Sequence, residues 1–168
     1  MLKYVLVGLI TLIINSSIIQ TKTRQYKPIQ LHKYVSTTHK IAPKTTKDYL
    51  LEALIQVESR GIENCVGDKH LGRPSIGVLQ IRPIMVREVN RILKKHKVKK
   101  KYSLEDRYSK VKSIEMFYIW RYYHHPEDSD EVVARCWNGG SKGWKRKSTI
   151  HYWNKVEKQL KKLKNEEN

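Results

Sequence analysis

LLEALIQVESRGIENCVGDKHLGRPSIGVLQI, residues Leu50 to Ile81, decides how the chain folds. Leu51, Leu54, Ile55 and Glu58 fall at i, i+3, i+4 and i+7, so on a helix they share one face. Leu50, Ala53 and Val57 cover much of the remaining circumference, which predicts a helix buried on most sides. A carboxylate at the end of such a stripe is either desolvated or looking into a cleft. It also sits in the last turn before the stop signal Ser59-Arg60-Gly61, where the negative end of the helix dipole disfavours ionisation. Apolar surroundings push the same way, so Glu58 is a candidate general acid kept protonated near neutral pH. The competing reading is a solvated surface Glu, with Arg60 at hand to pair with it.

The rest of the chain reads as helices punctuated by turns. Between Gly61 and Ser75 lie Gly67, Asp68, Gly72 and Pro74, an irregular stretch. SIGVLQI (Ser75–Ile81) is short, β-prone and interrupted by Gly77, so a turn or small hairpin is expected. Pro83 stands in the first turn of a second helix whose apolar positions Val86, Val89, Ile92 and Leu93 run into the basic run KKHKVKKK, read as exposed. A third helix spans about Ser109 to Tyr123 on the pattern Val111, Ile114, Phe117-Tyr118 and Trp120-Arg121. His124-His125-Pro126 breaks it. Ser129-Asp130 caps a fourth helix, EVVARCW, which stops at Asn138-Gly139-Gly140. A fifth covers about Thr149 to Leu163. Thr45 or Thr46 is expected to cap the first helix. The fold class is mainly α: about five helices and one small β insertion, without internal repeats.

The 168 residues suffice for one compact domain plus appendages. Met1 to Thr21 carries one positive charge and then an uncharged apolar run, the pattern of a secretory signal peptide or an N-terminal anchor. Residues 22–44 read as a basic linker, 45–163 as the domain and 164–168 as a charged tail. Export to the periplasm or cell envelope is expected, with the N-terminal segment as a possible tether to the inner membrane. Net charge is +18, from 34 Lys and Arg against 16 Asp and Glu, which favours a polyanionic partner. Nucleic acid, an anionic membrane and an acidic wall polymer all fit that charge; export argues against the first. Ten Tyr and four Trp against one Phe suit a polar ligand with apolar faces, such as a sugar. Cys65 and Cys136 are too few and too far apart for a zinc site, and pair as a disulfide or stay as small buried thiols. His70, His124 and His125 lack acidic partners at ligand spacing, so no metal and no cofactor are expected.

Four local signatures stand in order: VESR with Glu58-Ser59, GVLQI with Gly77, Leu79 and Gln80, ARCWNGG with Trp137-Asn138, and HYWNKV with Tyr152, Lys155 and Val156. Their order and spacing resemble the lytic transglycosylase domain of the soluble-transglycosylase type, within the lysozyme-like superfamily. The family pattern is E-S, G-L-x-Q, A-Y-N-x-G and Y-V-x-K-V, and the resemblance covers roughly Lys47 to Val156. The insertion GDKHLGRPSIGVLQI looks like versions found in phages and their hosts.

The resemblance implies a lysozyme-like α+β domain in which the hairpin forms one wall of a cleft. It implies a monomeric enzyme that cuts the MurNAc-GlcNAc β-1,4 bond of peptidoglycan to leave 1,6-anhydro ends. Glu58 would be the sole catalytic acid/base, with no cofactor. Ser59 would hydrogen-bond near it and help orient the sugar N-acetyl group, Gln80 would contact substrate from the hairpin floor, Asn138 would lie on the opposite wall, and Tyr152 would reach toward Glu58. The family Tyr is Trp137 here, which keeps an aromatic wall but loses the hydroxyl; Cys136 replaces an Ala, and Trp153 a Val. Glycoside hydrolysis ordinarily uses a second carboxylate. Glu63 and Asp68 would serve a hydrolytic muramidase on the same fold, and a non-catalytic wall-binding module is the remaining alternative. Anionic wall polymers or the membrane surface are the further partners expected of the charge.

Overall fold

The computed structural model describes residues 48–166; the expected signal or anchor segment, the expected linker, Thr45, Thr46 and the end of the tail lie outside them. The first helix, α1 (Tyr49–Ser59), is capped by Asp48, whose Oδ1 accepts from Leu51 N at 3.1 Å. Asp48 therefore does the capping expected of Thr45 or Thr46, its carboxylate satisfying a first-turn N–H. The same carboxylate accepts from Tyr118 Oη at 3.1 Å and from Arg121 Nη1 at 3.0 Å, so the cap also ties the helix start to a later element. Arg60 ends the helix in the left-handed region at φ 56°. Leu50, Leu51, Ala53, Leu54 and Ile55 are buried.

A two-stranded antiparallel sheet follows: β1 (Val66–Gly67) pairs with β2 (Ser75–Ile76), Val66 opposite Ile76 and Gly67 opposite Ser75. An isolated bridge between Ile76 and Ile81 closes the turn after β2. Four more helices complete the described residues: α2 (Pro83–Lys95), α3 (Lys110–His124), α4 (Asp130–Gly139) and α5 (Ile150–Asn165). Ser109 and Ser129 cap α3 and α4 through their side chains, while α2 opens on Pro83. Short 3-10 turns span Glu105–Tyr108, Gly143–Lys145 and Lys147–Thr149. The architecture is mainly α, with its core where α1, the residues around β2, and α2 to α5 converge. Leu54, Leu79, Ile92, Phe117, Val133 and Val156 are each fully buried there. The most extensive helix pairing is α1 against α5.

Two expectations are corrected by packing. The run KKHKVKKK is not exposed throughout: it alternates, with His96, Val98 and Lys100 turned partly inward and Lys97, Lys99 and Lys101 outward. Val98 packs on the core, and Lys100 Nζ meets Glu115 Oε2 at 2.7 Å, where Tyr102 Oη also donates at 2.7 Å. Asn90 fixes this segment by bonding both backbone groups of Tyr102 at 2.8 Å. Val111 is 64% exposed, because it lies in the first turn of α3, beyond the surface the other elements cover. Both cysteines are free thiols, Cys136 buried and Cys65 half-buried.

Strands of two residues cannot sustain a hairpin by themselves. A buried guanidinium holds this one. Arg107, only 5% exposed, donates to Leu104 O at 2.7 Å, Pro74 O at 3.1 Å and Ile81 O at 3.3 Å. Its own carbonyl accepts from Ser113 Oγ at 3.0 Å and lies where a side chain on Gly77 would have to go. Gly77, at φ 82°, is thus required both by conformation and by close approach. Arg107→Met should lower stability by about 2–4 kcal/mol through orphaned carbonyls, read as a lower urea midpoint at unchanged slope.

Candidate active site

Glu58 occupies the last turn of α1, one residue before the helix ends. Its side chain is partly exposed, with protein on most sides. Tyr152, in the first turn of α5, donates its hydroxyl to Glu58 Oε1 at 2.6 Å. The indole of Trp137 on α4 lies near the same carboxyl and acts on it more weakly than Tyr152 does. Trp137 is itself fixed edge-on against Phe117 at 5.3 Å and Trp120 at 5.1 Å between ring centroids. The partners of Glu58 are thus a phenol and an indole on two other helices, while Arg60 is exposed.

Burial raises the Glu58 carboxyl from its ordinary 4.5 to about 7; the donor Tyr152 opposes the rise, the charge of Asp68 adds to it, and Trp137 opposes it more weakly. Desolvation wins because an ionised carboxylate loses more hydration than two neutral neighbours restore. Tyr152 is held well above its usual range, first by burial and then by the adjacent Glu58. The site therefore contains a carboxyl that is half-protonated near neutrality and a phenol that stays a donor, an arrangement able to deliver a proton and take one back.

The other expected site residues are engaged differently. Ser59, buried, spends its single proton on Val78 O at 2.8 Å, with Ile55 O at 3.3 Å, and accepts from Gly61 N at 3.1 Å. Its hydroxyl pins the end of α1 to the hairpin. The Gln80 amide donates to Cys65 O at 3.2 Å and Gly77 O at 2.9 Å, and its Oε1 accepts from Ser75 Oγ at 3.0 Å. Gln80 stands at φ 46°, and Gly67 lies so close beneath it that a Cβ there would strike its amide oxygen. Asn138 is exposed at the end of α4, next to Trp137. Glu58, Tyr152 and Trp137 are brought together; Ser59 and Gln80 build the support behind them.

Both loop acids are exposed; of the two, Asp68 acts electrostatically on Glu58, and its Oδ2 lies 3.2 Å from Ser75 Oγ, competing with Gln80 Oε1 for that hydroxyl's one proton. Ser75 was not singled out by sequence; its signal is the register, since Ser75 pairs with Gly67 just before Asp68. The paired histidines take separate partners, His124 with Glu88 and His125 with Asp128. Among the described residues no group of three or more His, Cys, Asp or Glu is placed to hold a metal ion. Compared with protein-family models and with curated proteins, the chain gives no match in either.

The two neighbours of Glu58 should move its titration in opposite directions. Tyr152→Phe removes a donor to the carboxylate and should carry the midpoint above 7; Asp68→Asn removes a negative neighbour and should carry it below, both read by carboxyl-selective NMR. Glu58 binds its proton more tightly folded than unfolded. Its stabilising contribution is therefore complete below about pH 4.5 and is lost as pH rises through about 7. Glu58→Gln should abolish that loss and be roughly 2 kcal/mol more stable than the parent at pH 8, measured by denaturant unfolding at both pH extremes.

Proposed function

We propose that this domain is a lytic transglycosylase that cuts the glycan strands of peptidoglycan, with the lysozyme-like fold its motifs resemble. The observation that carries the reading is Glu58: a partly exposed carboxyl raised to about 7 with Tyr152 at 2.6 Å. Protonated Glu58 gives its proton to the glycosidic oxygen between MurNAc and GlcNAc as the C1–O bond breaks. The C6 hydroxyl oxygen of the muramyl sugar then bonds to C1, and its proton returns to Glu58. No water is consumed, so one carboxyl does both jobs, and the product is a 1,6-anhydro ring. Tyr152 and Trp137 stabilise the carboxylate in the interval between the two transfers. Trp137 and Asn138 flank the strand, with Gln80 and Ser59 setting the floor. The activity belongs to an exported protein of the periplasm or envelope, acting as a monomer on the wall and drawn to it by excess positive charge.

Asp68 favours one second reading. A carboxylate that senses Glu58 across the site is where a hydrolase would activate water. Mass spectrometry of the products from purified peptidoglycan separates the two. Muropeptides one water lighter than the reducing-end form are expected; reducing ends would make the enzyme a muramidase. Glu58→Gln should lower release by at least about a thousandfold while leaving wall binding intact. Unchanged lysis by that variant would end both readings, and a folded protein that binds walls but releases nothing would be a binding module.

A further inference from the structure

Residues 142–147, Lys-Gly-Trp-Lys-Arg-Lys, join α4 to α5, leaving shortly after Trp137 and Asn138 and arriving shortly before Tyr152. The turn is built rather than loose. Gly143 is buried against α4, where a Cβ would meet the Arg135 carbonyl. Thr149 Oγ1 reaches Gly143 O and Arg146 O, both at 2.8 Å, and accepts from Arg135 Nε at 3.0 Å. Arg135 Nη2 also donates to Arg146 O at 3.2 Å, and Glu131 steadies the guanidinium at 2.7 Å.

What this braced backbone displays is unusual for a connecting turn. Trp144 is 46% exposed, with Lys145 Nζ 4.8 Å from its ring centroid. Lys142, Arg146 and Lys147 are exposed and form no ion pair among the described residues. No Asp or Glu occurs between Glu131 and Glu157. A large apolar ring and four cations of one sign, fixed in place at the cost of exposing the ring, make a surface suited to a ligand carrying both carboxylates and apolar groups.

We propose that this turn is a second substrate-contacting surface, which takes the carboxylates of the peptide stems carried by a peptidoglycan strand. The inference rests on the glycan-cleaving reading above. In such a strand every second sugar bears a short peptide with free carboxylates. A strand lying over Glu58 between Trp137 and Tyr152 passes the segment joining those two residues, and its stems meet the cations while their methyl-bearing side chains cover Trp144. Stem-bearing strands are thereby preferred to bare glycan.

The test uses the full-length protein and a Lys142→Gln/Trp144→Ala/Lys145→Gln/Lys147→Gln variant, with far-UV dichroism and Tm confirming that it folds. Substrates are peptidoglycan strands with stems and the same strands after amidase treatment. The variant should show a KM about tenfold higher on stem-bearing strands, with kcat kept, and an unchanged KM on stem-free strands. In a Glu58→Gln background, sedimentation with stem-bearing strands should weaken similarly, a readout independent of turnover. A Lys97→Gln/Lys99→Gln/Lys101→Gln variant, which removes as many lysines elsewhere, should keep the stem preference. Equal losses on both substrates, no loss, or an equal loss in the second lysine variant would overturn the proposal. So would loss of binding to single-stranded DNA with wall binding kept. Failure of the parent protein to cleave either substrate would instead count against the glycan-cleaving function, and the sedimentation result would still decide the surface.

Discussion

The antiparallel packing of α1 on α5 is the constraint from which the site follows. At one end of the pair Tyr49 lies under the Lys164 ammonium, 6.0 Å from ring centroid to Nζ; at the other Tyr152 meets Glu58. Val156 and Leu160 continue the face of α5 begun by Tyr152 and are buried against the core that includes Leu54 and Ile55. Because that seam is apolar, its last members are desolvated with it. A carboxyl and a phenol at the end of the stripe have no better partners than each other. The firm hold of Glu58 on its proton is thus a product of helix packing.

The residues of α1 made this legible in advance, because the 3.6-residue period places Glu58 on the buried stripe without any knowledge of its partner. Helix boundaries were legible for the same reason wherever a cap announced them: Pro83, Ser109, Ser129 and Gly140 each mark an end found within a residue or so. Local pattern says nothing about which helix covers which. Tyr152 beside Glu58 was reachable only through the motif resemblance, and so was Trp137, read as an aromatic wall without the family hydroxyl, which lies near the carboxyl and weakly favours its charged form. Gln80 and Ser59 show the converse limit. The resemblance assigned both to the substrate, but the hairpin's backbone carbonyls claim them first.

That claim explains how so small a hairpin stays in position. Two residues per strand provide little ladder, and the missing bonds come from side chains: Ser59 to Val78 O, Gln80 to Cys65 O and Gly77 O, and Arg107 to Pro74 O and Ile81 O. Buried backbone acceptors must find donors, and here three different elements provide them. The segment after α2 is a related economy: a turn at His96-Lys97, with Lys97 at φ 57°, leads into a strap through Val98 and Lys100 that is anchored by Asn90 rather than by a sheet.

The partners of Arg107 are all carbonyls, and this separates two things that are often linked in acid–base sites. A guanidinium never loses its proton in the accessible range, and peptide oxygens do not gain one. The clamp under the hairpin is therefore indifferent to acidity across the whole interval in which Glu58 changes state. The proton at Glu58 comes and goes against a frame whose shape does not depend on where that proton is.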